Sequence, residues 1–135
     1  MVVCTKRRIN FYDTDLMSVV HHANYIRWFE IGRVEFMRAA GISLNEMMDD
    51  GFVFPITEVR CKYHAPGRFD DEVVIEVKPE ILTKAKMEFT YRIYRESDGE
   101  VLVTGFTQNV FTSKETGRIV RITDKYQDKL KKMLE

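Results

Sequence analysis

Between residues 2 and 12 apolar and polar positions alternate, with Val3, Ile9 and Phe11 on one side and Lys6, Arg8 and Asn10 on the other. This alternation predicts a half-buried strand. From Ala23 to Ala40 the period lengthens. Tyr25, Trp28, Phe29, Gly32, Phe36 and Ala40 recur every three or four residues, and Ile26, Ile31, Val34 and Met37 widen the stripe. The pattern predicts a helix covered on most of its sides and stopped at Gly41. Gly32, in its middle, costs about 1 kcal/mol against alanine, which points to another backbone passing close by.

Ser43-Leu44-Asn45-Glu46 reads as a capping box that opens a short second helix, ended near Gly51. Strand patterns follow. Phe54 to Tyr63 is the first, separated from the next by His64 to Glu72. Val73, Ile75 and Val77 alternate, and Met87, Phe89, Tyr91 and Ile93 do so again opposite Glu88, Thr90 and Arg92. Ser97-Asp98-Gly99 marks a turn, with Val101 to Thr112 as the returning strand. Lys114 to Gly117 marks another, leading into Arg118 to Ile122. Thr123 is placed to cap a last helix with Tyr126, Leu130 and Met133 inward. Consecutive strands joined by tight turns make an antiparallel sheet. A helix with so wide a stripe needs more cover than a flat sheet gives. The expected class is therefore α+β, with a strongly curved sheet wrapped around the long helix. Its convex face is expected to be apolar, and an edge strand is left open to a partner.

The length of 135 residues suits one domain spanning 1–135, large enough for a core without metal or disulfide support. Lys plus Arg and Asp plus Glu both number 21. A net charge of zero supplies no long-range field to hold nucleic acid or an acidic membrane, although a local basic patch could grip a small polyanion. Cys4 and Cys61 show no metal-ligand spacing, and two thiols in a reducing compartment is the expectation. The first ten residues lack the apolar core of a signal peptide, and no run approaches the roughly 18 apolar residues of a membrane span. A cytoplasmic chain is expected.

The densest chemistry lies in Asp13-Thr14-Asp15-Leu16-Met17-Ser18-Val19-Val20-His21-His22-Ala23-Asn24-Tyr25. It falls on a loop and at a helix N-terminus, where backbone N–H groups are free and the helix dipole is positive. A developing oxyanion is stabilised there. A nearby carboxylate can attack a carbonyl carbon or take a proton from water that does so. The plain alternatives are a turn former or helix-start charge for either acid, and a packing or surface role for each histidine. His21 and His22 are adjacent and lack ligand spacing such as HxH or HxxxH, so no metal site is expected. Ser18 and Ser43 have no nucleophile-elbow context, and neither cysteine neighbours a histidine. The Asp13-Thr14-Asp15 spacing leaves open, on chemistry alone, which of the two acids acts.

Asp13-Thr14-Asp15, Val19-Val20, His22, Asn24-Tyr25 and a helix carrying Phe29-Glu30 and Arg33 resemble the first block of the 4-hydroxybenzoyl-CoA thioesterase-like acyl-CoA thioesterases, a hot-dog-fold family. Tyr63 to Asp71 resembles that family's second block, and Thr116-Gly117-Arg118 its C-terminal hairpin. The resemblance implies a hot-dog fold, a curved antiparallel sheet wrapped around one long central helix. It implies hydrolysis of an acyl-CoA thioester to acid and free CoA, with no cofactor beyond the CoA of the substrate. It also implies a homodimer with sheets joined edge to edge, often paired into a homotetramer, and a site at the subunit boundary.

Carried over by position, Asp15 matches the catalytic carboxylate, and the backbone N–H of His22 would hold the thioester oxygen. Asn24 and Tyr25 match structural or pocket-lining positions, while Glu30 and Arg33 are expected to form a supporting polar pair. Asp13 is expected to brace the loop by accepting backbone N–H bonds. Ser18 stands where the family usually has glycine, which places a dihedral that serine dislikes in this loop. Phe11 and His21 stand where the family often has tyrosine. The phosphates of CoA need cations, and Arg60, Lys62, Arg68, Lys84 and Lys86 are the candidates. Two other readings stay open: a hot-dog dehydratase acting on a hydroxyacyl thioester, and a non-catalytic module binding acyl-CoA or an acyl carrier protein.

Overall fold

The opening alternation makes a shorter strand than its pattern suggests. In a computed structural model, which describes residues 1–135, β1 covers Val3–Arg8 only. Beyond it the Asn10 N–H donates to Asp13 Oδ2 at 2.8 Å, and Phe11–Asp13 wind into a 3-10 turn. That turn throws Phe11 outward, so it is 76% exposed instead of facing inward with Val3 and Ile9.

The long period becomes α1, His22–Ala39, and the capping box becomes α2, Leu44–Asp49, with Ser43 Oγ accepting the Glu46 N–H at 3.2 Å. Gly41 follows α1 with a φ of +76°. The remaining elements are β2 (Phe52–Val53), β3 (Ile56–Tyr63), β4 (Glu72–Leu82), β5 (Lys86–Arg95), β6 (Val101–Val110), β7 (Thr112–Ser113) and α3 (Asp124–Lys132). Five strands form one antiparallel sheet in the order β1-β4-β5-β6-β3, which leaves β1 and β3 at its edges. β2 and β7 form a separate two-stranded ribbon, so the strand expected from Phe54 starts two residues later, after Pro55. Within Arg118 to Ile122 only Ile119 bridges, to Thr112. No helix is long and apolar enough to cross a membrane.

The curved sheet carries α1 on its inner face. Val73, Ile75 and Val77 of β4 and Met87, Phe89, Tyr91 and Ile93 of β5 are all buried there, against Tyr25, Trp28, Phe29, Phe36 and Met37. Phe36 meets Phe89 edge to face at 4.9 Å. Gly32 makes room for side chains and not for a second backbone. A Cβ at that position would lie 2.5 Å from Val77 Cγ2 and 3.0 Å from Ile75 Cγ2. The helix is covered on one side only: Ile26 is 38% exposed, and Ile31 and Val34 are half-buried.

The outer face is polar, contrary to the apolar surface expected. Alternation along the strands sends Lys6, Glu76, Lys78, Arg92, Arg60 and Lys62 outward, and several pair there: Arg92 with Glu76 at 2.9 Å, Lys6 with Glu96 at 2.6 Å. A sheet covered on one face by its own helix keeps the other face wet by this means. Phe106, the largest apolar group on that face, lies beneath the Arg60 guanidinium at 4.1 Å. α3 packs through Tyr126, Leu130 and Met133 as its pattern predicts, although the Thr123 side chain makes no capping bond.

Candidate active site

The acidic loop is a closed turn. Its ends are held by a bridge between Thr14 and Val20, the Asp15 N–H donates to the Val19 carbonyl at 2.9 Å, and the Ser18 N–H donates to the Asp15 carbonyl at 3.0 Å. Closing so tight a turn puts Ser18 at φ +64°, in the left-handed region where glycine is at ease. The Val20 N–H then donates to the Gly67 carbonyl at 2.9 Å, tying the loop to the segment after β3.

The two acids take different environments within this turn. Asp13 is 4% exposed. Its carboxylate accepts from the Asn10 N–H and sits 3.4 Å from Arg7 Nη2, while its carbonyl accepts from the His21 N–H at 2.9 Å and from Asn24 Nδ2 at 2.8 Å. Asp15 is half-buried. One of its carboxylate oxygens accepts the Met17 N–H at 2.8 Å, and the other has no hydrogen-bond partner within the chain.

At the start of α1 the N–H groups are distributed unevenly. The Ala23 N–H goes to His21 Nδ1 at 3.2 Å and the Asn24 N–H to the His21 carbonyl at 2.9 Å. Since the His21 N–H is taken by the Asp13 carbonyl, the His22 N–H is left without an acceptor. Tyr63, at the end of β3, donates its hydroxyl to the His22 carbonyl at 2.9 Å. Its ring packs against those of His22 and Tyr25, with centroids 6.3 Å and 5.8 Å away. Burial pushes the Tyr63 phenol up to about 12, so it remains a donor at neutral pH. Burial also raises the Tyr25 phenol, whose oxygen accepts the Gly67 N–H at 3.2 Å.

These groups open on a pocket of about 350 Å³ that holds Asp15 and His22 between Met17, Tyr25, Tyr63 and His64. A larger groove of about 520 Å³ lies on the outer face around Arg60, Lys62 and Phe106, and carries no carboxylate or imidazole. The smaller pocket is the one with acid–base chemistry. Apolar walls, one carboxylate and one free N–H equip it to polarise a carbonyl and deliver a nucleophile or base to it.

The other sequence candidates are dispersed. Tyr25 lines the pocket, whereas Asn24 is turned back to the Asp13 carbonyl and braces the loop. Glu30 and Arg33 form no pair; Arg33 instead donates to the Tyr91 hydroxyl at 3.2 Å. Both border a separate pocket of about 310 Å³ with Val34, Met37, Phe54 and Ile56. Arg60 and Lys62 face outward, and the Arg68 side chain is exposed. Lys84 pairs with Asp124 and Lys86 lies 3.7 Å from Glu88. Both lysines sit at the Val110 end of the sheet, whereas Tyr63 and the pocket sit at the Val103 end. Tyr63, His64 and Gly67 were missed. Their signal was the second block itself, whose Tyr-His-Ala-Pro-Gly run leads from the end of β3 back onto the acidic loop.

A model of the thioesterase-like superfamily matches residues 9–130 of the chain. The acyl-CoA thioester hydrolase YbgC of Escherichia coli is 31% identical over 101 residues, which cover 71% of this chain and 75% of that protein. Among solved structures, a hypothetical protein from Thermus thermophilus aligns with a TM-score of 0.89 at 30% identity, over 96% of this chain and 98% of that one. A DHNA-CoA thioesterase from Staphylococcus aureus aligns with a TM-score of 0.91 at 24% identity, over 97% and 89% of the two chains, a likeness of fold.

Proposed function

The chain belongs to the thioesterase-like superfamily, and from that premise we propose that it hydrolyses an acyl-CoA thioester to the free acid and CoA. The observation that carries this reading is the meeting of Asp15 and the unpaired His22 N–H in one pocket. The thioester carbonyl oxygen accepts from the His22 N–H. Asp15 then attacks the carbonyl carbon, or takes a proton from water that attacks it, and the oxygen becomes an oxyanion held at the helix start. Collapse of that intermediate breaks the carbon–sulfur bond and releases the CoA thiolate, which takes up a proton. Where Asp15 is the nucleophile, the acyl–Asp15 anhydride left behind is split by water, which gives the acid and frees the carboxylate; where Asp15 is the base, the attacking water is already part of the acid. Asp13 and Asn24 keep the loop in shape, and no metal is called for by this chemistry.

A homodimer fits the same reading. β3 is an edge strand exposed along almost its whole length. Its eight residues extend over roughly 23 Å, with Tyr63 and the Asp15 pocket at one end and Ile56 at the other. Two copies pairing antiparallel along this edge would bring the Ile56 end of one, together with its Lys84 and Lys86, toward the Asp15 pocket of the other. That arrangement gives the two lysines access to the CoA phosphates, which one chain alone does not.

Thiol release from acetyl-CoA through palmitoyl-CoA and from benzoyl-CoA tests the activity. Release from at least one is expected. Binding without release would favour a carrier or binding module, and water loss from a hydroxyacyl-CoA would favour a dehydratase. For the dimer, sedimentation at micromolar concentration is expected to exceed the 15.9 kDa of one chain.

A further inference from the structure

The His22 N–H has no acceptor of its own to fix its direction, so its aim depends on what holds the first turn of α1. Several hydrogen bonds do so. The Asp13 carbonyl takes the His21 N–H and the Asn24 side-chain amide, His21 Nδ1 takes the Ala23 N–H, and the His21 carbonyl takes the Asn24 N–H. These come from the loop or from the cap residue itself. A further one is the Tyr63 hydroxyl on the His22 carbonyl, and it alone of these bonds reaches the turn from the main sheet. β3 is fixed in turn by its pairing with β6, where Tyr63 stands opposite Val103.

We propose that Tyr63 is a positioning residue for the hydrolysis described above: its hydroxyl anchors the first turn of α1 to the sheet and so aims the His22 N–H into the pocket. The inference rests on the hydrolase reading for its kinetic consequence, but the tether is a feature of this fold whatever the substrate. An N–H aimed at the place an oxyanion will occupy matters most once the charge has formed. Slackening the tether therefore lowers turnover more than substrate binding. The ring is a separate matter. Its packing on His22 and Tyr25 contributes to stability with or without the oxygen. Because the phenol stays protonated through neutral pH, the tether does not titrate across the assay range.

Tyr63→Phe keeps the ring and removes only the tether. Its kcat is expected to fall about ten-fold, on the scale of a partly misaimed oxyanion donor, with KM within about two-fold and Tm within about 2 °C of the parent. Native-state hydrogen exchange at the Ala23 and Asn24 amides is expected to quicken by about ten-fold, while amides of β5 stay unchanged. A Tyr63→Phe variant with wild-type kcat, or one that raises KM at unchanged kcat, overturns the proposal; the latter would make the hydroxyl a substrate contact. Should the parent protein release no thiol from any acyl-CoA, the hydrolase reading fails on its own. The exchange measurement then decides the tether, and unchanged exchange at Ala23 and Asn24 overturns it.

Discussion

Phe29 stacks on Tyr91 with ring centroids 4.3 Å apart and planes 20° apart, and the stack occupies the space that a side chain at position 105 would need. A Cβ on Gly105 would fall on the Phe29 ring, with the Arg60 carbonyl 3.0 Å away to bar retreat. Gly105→Ala is therefore expected to cost about 1–3 kcal/mol through overpacking. A thermal melt should show Tm lowered by roughly 3–10 °C; an unchanged melt would mean that Phe29 moves freely.

The two acids of the loop should separate cleanly. Asp15→Asn is expected to leave the melt unchanged and reduce thiol release by on the order of 100-fold or more, as loss of a base or nucleophile does. Asp13→Asn weakens the buried contacts to Arg7 and the Asn10 N–H. It should lower Tm by several degrees, on the scale of about 1–3 kcal/mol for a disturbed buried polar group, with a modest loss of turnover. A folded but inactive Asp13→Asn beside an active Asp15→Asn would reverse the assignment.

Ser18 holds its loop at φ +64°. A left-handed residue with a Cβ costs about 1 kcal/mol that glycine does not. Ser18→Gly should raise Tm by about 2–4 °C and keep thiol release at the parental rate or above. A lowered Tm would show that the serine contributes more to this turn than its backbone strain removes.

Acid should weaken the join between α2 and α3. The Tyr126 hydroxyl donates to Asp50 and holds its carboxyl below the ordinary value of 3.8. Because the folded value is depressed, the stabilisation is complete above the unfolded value and disappears as pH falls through the folded one. Tyr126→Phe is thus expected to melt lower than the parent at pH 7, with the gap narrowing below about pH 3.8. Melts at pH 7 and about pH 3 check this, and a gap that widens in acid would contradict it.

Much of this architecture was readable from periodicity. The buried rows Val73-Ile75-Val77 and Met87-Phe89-Tyr91-Ile93 follow their alternation, and the Tyr25-to-Phe36 stripe became the core of α1. Local sequence failed where a contact comes from far away. Glu30 and Arg33 have the i, i+3 spacing of a helical pair, yet Arg33 reaches Tyr91, 58 residues along, because β5 passes beneath it. Phe11 obeys the strand pattern, but the Asp13 carboxylate captures the Asn10 N–H and ends that pattern early. The importance of Tyr63 was hidden because it depends on which strand lies beside β6. The polar outer face, by contrast, was already spelled out by Lys78, Arg92 and Lys62, and the wide helix stripe drew attention away from it.

The pairing of β3 with β6 also sets an order of events during synthesis. Tyr63 takes its place only when the strand opposite it exists, and that strand begins at Val101, nearly forty residues later. Pairings between segments so distant in the chain form late, because the intervening loop must close first. A growing chain would therefore carry Asp15 and His22 long before it could hold them against a substrate. A chain stopped before Val101 is therefore expected to release no thiol from any acyl-CoA.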